Sequence, residues 1–326
     1  ANINLPRILR VGAGASRELV ATLAELDIRQ PLVVTDPFIA SQDFTQQIIA
    51  DLENNKVQFS VFSDCVPDPT TDSVYACLAS LKNNNSDAVV AIGGGSSIDT
   101  AKAVAAMAGK TGKMRDYKVP ATLDSGLPIV AIPTTAGTGS EVGRAAVIIN
   151  SKDQVKKIIF HPKVLPSIVI CDPELTVGMP SDITVGTGMD AFTHCLEAFS
   201  SPIYHPMSQG IALEGMRLVT QHLPRVVQDA NNIESRAHMM SAAAMGAVAF
   251  QKGLGAVHAI SHPVGVLYNT HHGMTNAVVI PPVLELNRRA IEGSISKAAA
   301  YLGIKGGFDG FYNFVVEFRR TLGVPD

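Results

Sequence analysis

Short runs of β-branched residues alternate with amphipathic helical patterns along the first half of the chain, and this alternation limits the possible folds more than any other feature. The runs at 31–35 (PLVVT), 58–62 (QFSVF), 87–92 (DAVVAI), 128–132 (PIVAI) and 167–171 (SIVIC) are apolar for most of their length, as strands buried on both faces are. Helical periodicity appears before and between them, at 16–26 and 72–81. Strands linked through helices predict a parallel sheet covered on both sides. From about residue 179 the character changes, and long Ala-, Met- and His-containing helical patterns take over at 186–199, 206–223 and 235–250. The 326 residues suffice for two cores at about 150 residues per domain. A Gly-Met-Pro break at 178–180 sets the expected boundary. An α/β domain over 1–178 and an all-α domain over 179–326 are expected.

Composition narrows the class of protein. Apolar residues make up 46 % and charged residues 17 %, a core-rich balance that excludes a disordered or fibrous chain. A net charge of −3 without basic blocks argues against nucleic acid or an anionic membrane surface as partner. No apolar run approaches the roughly 18 residues of a membrane span. The start, ANINLPRILRVGAG, has neither the charged nor the apolar region of a signal peptide. Cys65, Cys77, Cys171 and Cys195 form no CxxC pair, and read as reduced thiols of a cytoplasmic protein.

Two loops in the first half carry the chemistry of nucleotide binding. The run 87–92 leads into Gly93-Gly94-Gly95-Ser96-Ser97-Ile98-Asp99 and then a helical pattern. Glycines there let the backbone approach a pyrophosphate, and free N–H groups at the helix start attract anions. A plain strand-to-helix turn would have the same outline. The pattern is not GxGxxG, and Gly12-x-Gly14 near the start is too short to be one. Following the run 128–132, PTTAGTGSEV at 133–142 offers hydroxyls at a strand's carboxyl end, where ligands of open α/β sheets gather. Asp36 follows the first run. Its carboxylate suits ribose hydroxyls and repels a 2′-phosphate, favouring NAD over NADP, while Asp36-Pro37 also makes a good helix N-cap.

Metal-binding chemistry concentrates in the second half. Asp190 and His194 are spaced i, i+4 in a helical pattern, which puts both side chains on one face with Cβ atoms about 6 Å apart. His258 and His262 repeat the spacing, and His271 and His272 follow. One such pair is commonly a core or capping arrangement; two pairs and a dihistidine in an apolar domain point to a bound ion. Nitrogen and oxygen donors without thiolate suit Fe²⁺, Zn²⁺ or Mn²⁺. Cys195 lies about 100° around the helix from His194 and reads as a packed thiol.

At these residues the sequence resembles the iron-containing (group III) alcohol dehydrogenases, of the dehydroquinate synthase-like superfamily. The resemblance runs along essentially the whole chain and is carried by GGGSSIDTAKAVA (93–105), PTTAGTGSEV (133–142), GMDAFTHCLEAF (188–199), GLGAVHAISHPVG (253–265) and NTHHGMTNAVVIP (269–281). It implies a Rossmann-like N-terminal domain, an all-α C-terminal domain and an active site in the cleft between them. The implied metal ligands are Asp190, His194, His258 and His272, with Fe²⁺ as the metal or Zn²⁺ in its place. His262 matches a histidine near substrate and nicotinamide, a proton-handling residue. Gly94, Gly95 and Ser96 match the pyrophosphate loop. Thr134, Thr135, Thr138, Ser140 and Val142 match the stretch lining the coenzyme pocket, Lys156 a coenzyme-contacting lysine, and Asp36 the residue reading the ribose. Asp68 stands where relatives often carry asparagine. Relatives also continue for several tens of residues beyond the Leu322-Gly-Val-Pro-Asp326 motif, so the second domain is expected to lack its last helices.

The implied activity is metal-dependent, NAD-linked hydride transfer between a small alcohol and its aldehyde or ketone, in a homodimer. A polyol (glycerol-type) dehydrogenase is the nearest alternative. A dehydroquinate-synthase-like lyase would need several Lys and Arg residues for phosphate and carboxylate, whereas the second-domain motifs are flanked by Ala, Gly, Val and Leu. A shortened homologue that binds nucleotide without turnover would have no physical need for all four ligands.

Overall fold

The computed structural model describes residues 2–109, 126–153 and 155–326. The chain divides into two compact units. Asn4–Thr135 and Ser140–Leu175 form a sheet unit, while Ala1–Ile3, Ala136–Gly139 and Thr176–Asp326 form a helical one.

The sheet unit holds β1 (Ile8–Val11), α1 (Leu19–Glu25), β2 (Pro31–Val34), α2 (Pro37–Ala40), α3 (Asp43–Asn54), β3 (Ser60–Phe62), α4 (Thr71–Asn83), β4 (Ala88–Gly93), α5 (Gly95–Met107), β5 (Ile129–Pro133), β6 (Ala145–Asn150), β7 (Val155–Phe160) and β8 (Ile168–Cys171). Six strands form one sheet in the order β1-β8-β5-β4-β2-β3, and each neighbouring pair is parallel. Side-chain alternation along the strands divides the core by face. Leu32, Val34, Val89 and Ala91 pack with Val74, Leu78 and Ile98 of α4 and α5. Val33, Val90, Ile92, Val130 and Ile132 pack with Leu19, Leu23, Ile48 and Leu52 of α1 and α3. This is the doubly covered parallel sheet that the alternation predicts. β6 and β7 form a separate antiparallel pair.

β2 pairs with both β3 and β4, whereas β4 also pairs with β5. The chain thus builds outward in opposite directions from the β2–β4 junction, and the carboxyl ends of β2 and β4 flank a topological switch point, with β5 beside β4. Open α/β sheets bind their ligands in such a place.

The helical unit contains α6 (Ser181–Ser200), α7 (Pro206–Gln228), α8 (Ile233–Ala249), α9 (Ala256–Tyr268), α10 (His272–Tyr301) and α11 (Gly307–Thr321). α6 is its central rod: every residue from Thr184 to Phe199 is buried, polar ones included. A Cβ on Gly273 would collide with the Gly186 carbonyl, and one on Gly186 would collide with the His271 ring. The two glycines therefore let α6 and α10 touch backbone to backbone and bring the start of α10 against Asp190. Among the described residues no helix is long and apolar enough to cross a membrane.

Candidate metal centre and coenzyme site

α6 presents Asp190 and His194 on one face, with Asp190 Oδ1 3.6 Å from His194 Nε2. α9 brings His258, whose Nε2 is 3.5 Å from the same oxygen. α10 opens with His272, and its Nε2 is also 3.5 Å from that oxygen. The donor atoms of Asp190, His194 and His258 lie within 4.8 Å of one another. The His272 side chain, 37 % exposed, is the least buried of the four. The neighbouring His271 has a different role: its Nδ1 caps α10 by accepting from the Met274 N–H. His262, one turn beyond His258, is exposed, with its ring 5.2 Å from that of His272 and 5.7 Å from that of His258.

These atoms fit a divalent cation. Donors each about 2.1 Å from a tetrahedrally bound ion stand roughly 3.4 Å apart, and the separations of 3.5–3.6 Å match that spacing while being long for direct hydrogen bonds. The buried Nδ1 of His194 has no hydrogen-bond partner, and its ring is held by packing against Phe250 and His258, with centroids 4.8 and 4.7 Å away. Burial raises the Asp190 pKa, but His194, His258 and His272 together hold it below the ordinary carboxylate range. Burial pushes His194 down to about 4 despite Asp190. His258 is also penalised by burial, yet Asp190 and Glu197 lift it to about 9. A buried carboxylate facing three imidazole nitrogens is the electrostatic setting that a cation satisfies.

Two further residues belong to this centre. The buried Nδ2 of Asn276 donates to Asp190 Oδ1 at 2.9 Å and lies 3.2 Å from His272 Nε2. Glu197 Oε2 is 2.5 Å from His258 Nδ1. Their only sequence signals are helical spacings: Asn276 at i+4 from His272, and Glu197 at i+7 from Asp190. Cys195 is buried against Gly215, and burial pushes its thiol up to about 12, as expected of a packed thiol.

The coenzyme candidates form a chain of contacts in the sheet unit. β4 ends at Gly93, Gly94 is the N-cap of α5, and no side chain caps that helix. Asp36 fills its capping role, Oδ1 accepting from the Ile39 N–H at 2.9 Å, while Oδ2 faces Gly93, 3.6 Å from where a Cβ would stand. Thr135 stands against Gly94, and the Thr134 N–H donates to the Gly93 carbonyl at 3.0 Å. The buried Thr134 hydroxyl has no partner. Ser96 Oγ accepts from the Asp68 N–H at 3.2 Å, and Lys156 Nζ pairs with the Asp68 carboxylate at 2.9 Å. Uncapped N–H groups, a glycine approach and an unpaired hydroxyl fit a dinucleotide.

Three further predicted residues complete the stretch. Ser140 Oγ is 2.5 Å from Asp99 and accepts from Lys102 Nζ at 2.8 Å, a buried network beneath the loop. Val142 is fully buried. Thr138 lies in Ala136–Gly139, a segment of the helical unit. Near the N-terminus, the Gly14 and Ser16 N–H groups donate to the Asp172 carboxylate at 3.1 and 3.0 Å. That glycine turn is thus satisfied by the protein itself.

The parallel sheet with its glycine loops and the helical unit with its cation-sized donor set have counterparts among known proteins. Residues 6–173 match the family model "Iron-containing alcohol dehydrogenase", and residues 184–325 match "Fe-containing alcohol dehydrogenase family, C-terminal". The chain is 41 % identical over 291 residues to 4-hydroxybutyrate dehydrogenase of Cupriavidus necator, covering 85 % of this chain and 74 % of that protein. It is 37 % identical over 304 residues to NAD-dependent methanol dehydrogenase of Bacillus methanolicus, covering 93 % of this chain and 80 % of that protein. The crystal structure of a 1,3-propanediol oxidoreductase superposes with a TM-score of 0.95 at 30 % identity, covering 99 % of this chain and 87 % of that one. The chain belongs to the iron-containing alcohol dehydrogenase family, a family of oxidoreductases.

Proposed function

We propose that the chain is an NAD-linked dehydrogenase of small alcohols, interconverting an alcohol and its aldehyde or ketone with a divalent ion held by Asp190, His194, His258 and His272. The convergence of three imidazole Nε2 atoms on Asp190 Oδ1 at 3.5–3.6 Å carries this reading. An ion held there would act as a Lewis acid toward the substrate oxygen, and the nicotinamide would supply the hydride acceptor. The donor set accepts Fe²⁺ or Zn²⁺, and raw affinity favours zinc, so availability decides which is bound.

The chain's own residues account for the remaining tasks. Asp190 contributes the negative charge and three neutral imidazoles complete the cage, leaving room for substrate on the exposed His272 side. His262 stands beside that opening, where an exposed imidazole can pass a proton between site and water. Gly94, Gly95 and Ser96 receive the pyrophosphate. Asp36 takes the ribose hydroxyls and repels a 2′-phosphate, which favours NAD. Lys156, already paired with Asp68, approaches the coenzyme as a partly neutralised cation. Four buried free thiols support a reducing compartment.

The test is NADH formation with short primary alcohols, diols and 4-hydroxybutyrate, comparing Fe²⁺-loaded, Zn²⁺-loaded and chelated protein prepared without oxygen. Turnover is expected only with metal. Equal turnover in the chelated protein would overturn the metal reading. Stoichiometric metal and NAD binding without net redox change would favour lyase chemistry.

A further inference from the structure

Asp190, His194 and Glu197 occupy positions i, i+4 and i+7 of α6, one continuous polar stripe on a buried helix. The Glu197 side chain is 6 % exposed, and both of its oxygens are engaged. Oε1 accepts from the Val257 N–H at 2.7 Å, satisfying one of the free donors in the first turn of α9, a helix without a side-chain cap at its N-cap Gly255. Oε2 lies 2.5 Å from His258 Nδ1. A carboxylate only accepts, so Nδ1 carries the proton of this contact, which leaves Nε2, 3.5 Å from Asp190 Oδ1, as the nitrogen that can face an ion. One side chain therefore holds the start of α9 and also sets the tautomer and tilt of the ring one residue further on. The buried His194 Nδ1 has no partner, so His194 lacks an equivalent grip.

We propose that Glu197 is a positioning residue for the metal centre, holding His258 in the tautomer and orientation that present Nε2 to the ion. The inference rests on the reading of Asp190, His194, His258 and His272 as ligands. Its physical basis is general: a carboxylate on the far nitrogen of a ligating imidazole fixes the ring and raises its basicity. The competing explanation is that Glu197 merely caps α9.

Glu197→Gln separates the two. The amide oxygen can still accept from Val257, but the charged acceptor for His258 is lost. Co²⁺ affinity, measured by chelator competition, is expected to fall about 10- to 100-fold, with a changed visible Co²⁺ spectrum and unaltered NAD binding. Gly255→Ala provides a second route to the same group, because its Cβ would stand 2.8 Å from Glu197 Oε1 and displace the carboxylate without removing its charge. It should weaken Co²⁺ binding in the same direction by a smaller factor. Wild-type Co²⁺ affinity and spectrum in Glu197→Gln would overturn this inference alone. Failure of the unaltered protein to bind Co²⁺ would overturn the ligand reading along with it.

Discussion

The two candidate sites are built from different materials. In the sheet unit the site is mostly backbone: uncapped N–H groups of α5, glycines and short hydroxyl side chains at the ends of neighbouring strands. In the helical unit it is made of long side chains from three helices, mostly buried, with His258 held by Glu197 and Asp190 by Asn276. A backbone site is assembled as soon as the sheet is, because strand order alone brings its loops together. A side-chain cage needs each helix to be in register and carries charge into the core. The first should tolerate small changes in its own side chains, and the second should not.

The largest test of this contrast is His272→Ala, which should abolish turnover and metal retention while NAD binding, followed by fluorescence, stays as it was. Loss of NAD binding as well would show that the two sites are not independent. Next in size is Lys102→Met, directed beneath the coenzyme loop. Lys102 is fully buried with its Nζ 3.8 Å from Asp99 Oδ1, and burial drives the Lys102 pKa down and the Asp99 pKa up against their mutual attraction. Leaving Asp99 unpaired should cost about 3–5 kcal/mol of stability in urea unfolding. Metal affinity should not change.

Gly93→Ala acts at the turn itself. Gly93 has φ +151°, and a Cβ there would stand 2.6 Å from Ser97 Oγ. Strain of about 1–3 kcal/mol should weaken NAD binding roughly tenfold without affecting the metal.

The smallest effect is a pH dependence confined to the helical unit. Burial, then His238, Arg225 and Arg217, push His222 down to about 4, with Glu234 opposing. An unfolded histidine takes its proton near pH 6.5. Stability from the neutral ring is therefore complete above about pH 6.5 and is lost as pH falls toward about 4. His222→Gln should remove that part of the slope, on the order of 1 kcal/mol near pH 5, as seen in urea midpoints compared with the unaltered protein.

The same contrast governs what the sequence reveals. The central strands are legible because β2, β4, β5 and β8 are buried along their whole length. β1 is not, since it is an edge strand with Leu9 44 % and Val11 43 % exposed, and its residues give no continuous apolar run. The hairpin β6–β7 is hidden for a similar reason, with Val155 and Ile158 exposed beside lysines. Asp190 and His194 announce themselves through local helical spacing. Glu197 and Asn276 do not, because their partners lie 61 and 86 residues away in sequence, and no periodicity encodes a contact across helices. Of the two readings of Asp36 the structure shows the cap, one oxygen capping α2, while the other oxygen faces the glycine turn.

The touching backbones at Gly186 and Gly273 would give a bound ion a second meaning. His272 reaches Asp190 only while those helices remain in contact, so a gap opened there by any larger residue would break the cage before it disturbed helix content. Metal retention is then a more sensitive gauge of packing in this half of the molecule than circular dichroism, and variants selected for ion retention would be selected for close packing as well.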